Sequence, residues 1–202
     1  MYYFHRVKTE RIFIFCINAE IRSTGDFSSV SMIAAADVHY SKNWVAAGAI
    51  LFEYWRSEQP TIAVRQSLAK VEPYEPGLFY KRELPCLLKV LERVKNQFEI
   101  IIIDGYVWLD AENRPGLGAH LHQVLGEKIP VIGVAKSKFK EALYATSVLR
   151  GRSRRPLYVT AIGIEVTVAA KHIENMHGRH RIPALLKMVD MLCRDPKYLA
   201  SL

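Results

Sequence analysis

The segment Phe98-Glu99-Ile100-Ile101-Ile102-Ile103-Asp104-Gly105 constrains this chain more than any other. Branched isoleucines favour a pleated strand, where they pack well, and lose rotamer freedom in a helix. Apolar residues at successive positions mark a strand covered on both faces. Such a strand belongs in the middle of a sheet with helices on either side. The run then stops at a carboxylate and a glycine. Met32-Ile33-Ala34-Ala35-Ala36-Asp37 repeats the arrangement. Acids at the edge of a core are costly unless they are paired or hold a metal. Glu83 and Asp190 add two more, each within a helical pattern. Two strand-end and two helix carboxylates suit a shared divalent cation. Metal-assisted hydrolysis of phosphodiesters is the first chemistry this set suggests.

The chain has 202 residues, enough for one domain with a substantial core. No apolar run approaches the ~20 residues that span a bilayer, so no membrane partner is expected. Cys16, Cys86 and Cys193 lack metal-site spacing. They read as reduced thiols, which suits a cytoplasmic protein. A net charge of +8 suits a polyanionic partner. Lys136, Lys138, Lys140, Arg150, Arg152, Arg154 and Arg155 lie close together against the single acid Glu141. That stretch reads as a phosphate-tracking patch, with Gly151–Arg155 as a mobile surface turn.

Residues 1–31 fit the rest poorly. Arg11–Ile17 has a strand pattern but is too short for a signal peptide. Met32 precedes the first convincing strand and is the expected biological start, with 1–31 as an extension. A genuine but variable N-terminal segment is the alternative. The domain is then 32–202. Strands are expected at Ile33–Asp37, Trp44–Trp55 and Thr61–Ser67, the last two joined through Pro60. A helix runs from Pro76 to about Lys95, with Leu84, Leu87, Leu88 and Leu91 on one side and Pro85 as a kink. Strands Glu99–Ile103, Pro130–Ala135 and Leu157–Ala161 follow, with a helix Gly118–Leu125 among them. Helices Val166–Met176 and Pro183–Cys193 close the chain. Three antiparallel strands followed by alternating helix and strand give an α/β fold. Its mixed central sheet, an antiparallel meander plus parallel strands, is flanked by helices in ribonuclease H-like order. That order sets the first strand beside the fourth, so Asp37 and Asp104 meet at adjacent strand ends.

Several motifs in this order resemble the endonuclease V family. Pro73-Tyr74-Glu75-Pro76-Gly77, followed by Arg82-Glu83, is similar to its Pro-Tyr-x-Pro-Gly and Arg-Glu signature. Asp104-Gly105 resembles its Asp-Gly pair. Gly116-Leu117-Gly118-Ala119-His120 resembles its Gly-x-Ala-Ser-His stretch. Ile132-Gly133-Val134-Ala135-Lys136 matches its strand residue for residue. Arg181-Ile182-Pro183, with Asp190 downstream, resembles its C-terminal Arg-Leu-Pro helix. The resemblance implies a DNA-repair endonuclease that recognises deaminated purine, chiefly inosine, in DNA or RNA. Its members use magnesium, with manganese as an alternative, and need no obligatory protein partner. They cut the second phosphodiester 3′ to the lesion, leaving 3′-hydroxyl and 5′-phosphate.

On this resemblance Asp37, Glu83, Asp104 and Asp190 hold the metal, and Asp37, Glu83, Asp104 and Lys136 are catalytic. Lys136 would steady the attacking water or the developing charge. Tyr74 in its proline frame would wedge into the base stack. Pro76, Gly77, Gly105 and His120 would meet the flipped base, with glycine backbone approaching its edge. Asp110 and Glu112 read as loop residues. His172, His177 and His180 read as surface residues that reach phosphate rather than as a metal cluster.

The chain departs from the family in three places. Its Asp-Gly-x-Gly becomes Asp104-Gly105-Tyr106-Val107, so Val107 stands for a glycine that helps admit the base. Tyr106 and Trp108 are the candidates to stack in compensation. The family's Ser-x-Gly-His stretch appears only as Thr160-Ala161-Ile162-Gly163-Ile164. Glu75 puts an acid in the wedge loop. Cleavage is therefore better supported than inosine specificity. The alternatives are a ribonuclease H-fold nuclease with structure-selective or RNA specificity, and a catalytically silent nucleic-acid-binding protein.

Overall fold

The computed structural model describes residues 12–16, 31–68, 79–139 and 145–201. Tyr74, Pro76 and Gly77, with the rest of the wedge motif, lie outside the described residues. Eight strands form one sheet: β1 Ile12–Cys16, β2 Met32–Tyr40, β3 Val45–Phe52, β4 Ile62–Leu68, β5 Phe98–Asp104, β6 Val131–Ala135, β7 Thr146–Val148 and β8 Leu157–Ile162. Their order is β1-β4-β3-β2-β5-β6-β8-β7. Strands β2, β3 and β4 are the expected antiparallel meander. Strand β5 lies parallel to both β2 and β6, and β8 returns antiparallel to β6.

Among the described residues, four α-helices cover the sheet: α1 Phe79–Leu91, α2 Leu117–Val124, α3 Val166–Asn175 and α4 Ala184–Arg194. The central strands alternate apolar residues between two cores. Ala34, Ala36, Ile101 and Ile103 face α1 and α2. Ile33, Ala35, Ile100 and Ile102 face α3 and α4. Both faces are thus dry, which is why β5 tolerates no polar residue in its central stretch before Asp104. Pro85 sits inside α1 without ending it.

Some boundaries differ from the sequence reading. Strand β3 ends at Phe52, and the segment to Trp55 leaves the sheet. The long helix appears among the described residues as α1 plus a 3-10 turn, Glu92–Val94, and its expected start at Pro76 lies outside them. Strand β7 was not expected. Ile12–Cys16 pairs along the outer edge of β4. No helix among the described residues is long and apolar enough to cross a membrane.

Helix α4 sits unusually close to the sheet. A Cβ on Gly48 would stand 2.9 Å from Cys193 Sγ and 3.3 Å from Leu192 Cδ2, so β3 needs a glycine there. Arg65, fully buried in β4 directly opposite Gly48, locks this contact. Its Nε donates to Leu192 O at 2.9 Å, and a terminal nitrogen donates to Cys193 O at 3.4 Å. A cation at the last carbonyls of a helix is favourable, because unpaired carbonyls and the helix dipole both point at it.

Candidate active site

Asp37 and Asp104 arrive together because β2 and β5 are parallel and in register, with Ala36 opposite Ile103. The next residue of each strand is the aspartate. By alternation both carboxylates lie on the α4 face of the sheet, at the carboxyl ends of the parallel strands. Open α/β sheets commonly place their sites at such ends. Lys136 follows β6 at the same end, and its Nζ donates to Asp104 Oδ2 at 2.6 Å. Glu83 reaches the cluster from α1 on the opposite face. Asp190 reaches it from α4, where Arg194 Nε donates to its Oδ2 at 2.9 Å.

The electrostatics show that the four acids sense one another. Burial lifts the Asp37 carboxyl to about 7, helped by the nearby Asp104 and Asp190 charges. Burial lifts Glu83 to about 9, with Asp37 and Asp104 adding to it and Arg82 opposing. For Asp190, burial also pushes upward. Its bond from Arg194, the Lys136 charge and a hydrogen bond with Asp37 outweigh that, and it sits below the ordinary carboxylate value. Burial works against the Lys136 charge, but contact with Asp104 and attraction to Asp37 and Asp190 raise its pKa overall. Lys136 offsets the charge of Asp37, Asp104 and Asp190, Arg194 adds to it at Asp190, and Arg82 acts on Glu83.

This donor set fits a divalent metal. Magnesium prefers hard carboxylate oxygens, and a cation among these acids would offset both the burial and the mutual repulsion that lift Asp37 and Glu83. Among the described residues, no three such side chains already converge as a ready ligand cage. A cavity of about 30 Å³ lies between Asp37, Asp104, Lys136 and the α4 residues Leu186 and Val189.

The loop after Asp104 is tightly built. Gly105 has φ 129°, and a side chain there would face open space. Its N–H is already donated to Val134 O at 3.2 Å. Gly133 is glycine because a Cβ would meet Gly105 O at 2.6 Å and Val107 N at 2.9 Å. Val107 is fully buried, and its N–H donates to Thr160 Oγ1 at 2.8 Å. Its side chain turns into the core against Gly118, where a Cβ would meet Val107 Cγ2 at 2.7 Å.

Trp108 does not present a free stacking face. It is half-buried, and its Nε1 donates to Ala161 O at 3.2 Å. The Tyr106 hydroxyl donates to Ser137 O at 2.8 Å and accepts from Phe139 N at 3.0 Å, tying this loop to the one after Lys136. Asp110 caps its own turn by accepting from Glu112 N and Arg114 N, as a loop residue should. His120 stacks on Tyr80 of α1 with ring centroids 3.7 Å apart, and burial lowers its pKa. His172 stacks on Trp55 at 4.1 Å, far from the carboxylates along the sheet.

Parallel strand-end aspartates, helix acids from both faces and a paired lysine meet at one end of a ribonuclease H-like sheet. The endonuclease V family profile matches residues 16–152. Endonuclease V of Dehalococcoides mccartyi is 32% identical over 190 aligned residues, covering 83% of each chain. Endonuclease V of Rippkaea orientalis is 29% identical, covering 84% of this chain and 82% of that one. Endonuclease V of Ciona intestinalis, solved with a 24mer DNA containing an inosine followed by a ribo-adenosine, superposes with a TM-score of 0.68. It is 22% identical, covering 83% of this chain and 85% of that one. Human ENDOV superposes with a TM-score of 0.66 at 20% identity, covering 87% of each chain. The chain belongs to the endonuclease V family, a family of nucleases.

Proposed function

We propose that this chain is a magnesium-dependent endonuclease that hydrolyses a phosphodiester 3′ to a deaminated purine, chiefly inosine, in DNA or RNA. The observation that carries this reading is the meeting of Asp37 and Asp104 at adjacent strand ends, with Glu83 and Asp190 sensing the same charge. These four would hold the metal, with manganese as an alternative. When bound, the metal supplies charge neutralisation at the scissile phosphate and an acidified water.

The chain's own residues do the rest. Lys136, bonded to Asp104, would meet a phosphate oxygen and stabilise charge that develops on it. Glu83, whose carboxyl burial and the Asp37 and Asp104 charges push up in the metal-free chain, would give up its proton to bind the metal as a carboxylate. Its neighbour Arg82 lies over the Tyr40 ring at 3.8 Å, which fixes the α1 turn that carries Glu83. His120, its pKa lowered by burial and its ring stacked on Tyr80, offers a flat polar edge beside α1. Tyr74 would wedge the base stack, and Pro76, Gly77 and Gly105 would line the space for the flipped base. The Val107 departure does not oppose this reading, because that side chain fills core space beside Gly118 and not the cleft.

The test is a panel of end-labelled single-stranded and duplex DNA and RNA, carrying inosine, uracil, a mismatch or no lesion. A cut one nucleotide beyond inosine, leaving 3′-hydroxyl and 5′-phosphate, is the expected result. Equal cutting of all substrates would move the specificity to another structure. No cutting of any substrate would leave only binding.

A further inference from the structure

We propose that the turn before β8 and the segment entering α4 form a rigid basic lip. It grips the phosphates of the nucleic-acid strand on one flank of the cut. This inference rests on the nuclease reading above and adds the path of the strand. Topology places the lip. Ala135 pairs with Tyr158, so β8 begins at the sheet end where Lys136, Asp37 and Asp104 stand. The turn between β7 and β8 therefore projects from the catalytic end. It carries Arg152, Arg154 and Arg155, all exposed. The segment before α4 adds exposed Arg179 and His180, and α4 itself adds Lys187. Among the described residues, none of these six side chains has a hydrogen-bond or ion-pair partner. Like charges gathered without partners repel, and a polyanion relieves that repulsion.

The lip is held in place by the one arginine of this stretch that cannot reach solvent. Arg150, expected in the phosphate patch, is buried at 5% exposure. Its Nε donates to Glu174 O at 3.1 Å. Its terminal nitrogens donate to His180 O at 3.0 Å, Gly178 O at 3.1 Å and Met176 O. One buried guanidinium thus binds carbonyls along the whole 174–180 segment. Gly151, at φ 60°, lies so close that a Cβ would stand 2.3 Å from Arg179 O. The turn and the segment are pressed together as one piece. Arg181 joins that piece to the site, because one terminal nitrogen donates to Lys136 O and to Pro156 O at 2.8 Å.

The lip and the lysine at the carboxylates therefore share one rigid frame. A backbone fixed in advance presents these charges without the cost of ordering the chain that carries them. A groove of about 490 Å³ leads from Lys136 and Asp190 past Arg181 to His180 and Lys187. Side chains along such a groove read backbone, not sequence, and set the register of the strand on the site.

The test compares two triple charge reversals that alter net charge equally. Arg152→Glu/Arg154→Glu/Arg155→Glu removes the lip. Arg93→Glu/Lys95→Glu/Lys128→Glu changes exposed residues that precede β5 and β6, at the opposite end of the sheet. Anisotropy of a fluorescent single-stranded DNA with one inosine is followed across a salt series with calcium present. The lip variant should bind at least about tenfold more weakly. Its plot of log affinity against log salt should be shallower by about 2, since each phosphate that is no longer neutralised removes ~0.7–0.9 from the slope. The control should stay within about threefold with the same slope. Equal effects of the two variants, or an unchanged slope in the lip variant, would overturn the lip while leaving the nuclease reading intact. A wild-type protein that binds no nucleic acid would overturn both.

Discussion

Glu83→Gln should stabilise the metal-free protein above neutral pH and destroy its response to magnesium. In the folded chain the Glu83 carboxyl sits near 9, against 4.5 for the ordinary group, because burial and the Asp37 and Asp104 charges oppose ionisation. An acid with a raised folded pKa keeps its proton in the native state and loses it on unfolding. The native state then binds more protons between pH 4.5 and about 9, so stability falls as pH rises through that window. Asp37 acts in the same direction between 3.8 and about 7. At pH 8 the upper bound for Glu83 is about 5 kcal/mol at ~1.36 kcal/mol per pKa unit. Water entering the open sheet end reduces this to about 2 kcal/mol. Glutamine cannot ionise and avoids that cost. The variant should melt about 4–8 °C above wild type in chelator at pH 8, and close to it at pH 5. Magnesium should raise the wild-type melting temperature at pH 8 and leave the variant nearly unmoved, since ligand binding to the native state stabilises it. Thermal unfolding followed by circular dichroism at both pH values gives all four numbers. A variant no more stable than wild type in chelator at pH 8, or a gain equal at pH 5 and 8, would refute the reasoning.

Other expectations follow from single contacts. Arg65→Met leaves the Leu192 and Cys193 carbonyls without their buried donor, and should cost about 2–4 kcal/mol in chemical denaturation. It should also lower kcat more than KM, because α4 carries Asp190. Gly118→Ala should cost about 1–3 kcal/mol by its clash with Val107. Val107→Ala in the same chain should recover most of that loss, and additive losses would contradict the packing described. Lys136→Ala should slow single-turnover cutting about 10²-fold with binding largely kept. A rate within threefold of wild type would remove Lys136 from the chemistry.

Much of this architecture was legible because a few residues carry it. The isoleucine run before Asp104 and the alanine run before Asp37 could only be doubly covered strands. Their parallel pairing then brought the acids together. The convergence of Glu83 and Asp190 was not legible from periodicity, since the two helices approach from opposite faces of the sheet. Strand β7 was missed because Thr146-Ser147-Val148 has no apolar run, and pairing with β8 alone makes it a strand. The role of Arg65 was missed although the sequence signals it. Arg65 interrupts Ile62-Ala63-Val64, and a base inside an apolar strand needs partners as much as an acid does. Arg150 looked like its exposed neighbours, and only the fold shows that carbonyls of residues 174–180 surround it. Val107 looked like an obstruction to the base cleft until Gly118 was seen to make room for it.

The most direct measurement is single-turnover cutting of an inosine-containing strand by wild type, Asp37→Asn and Asp104→Asn, each with magnesium and with chelator. Wild type should cut only with magnesium, and both variants should be at least about 10³-fold slower while staying folded. Cutting in chelator, or either variant within about tenfold of wild type, would contradict a metal site built on these two strand ends.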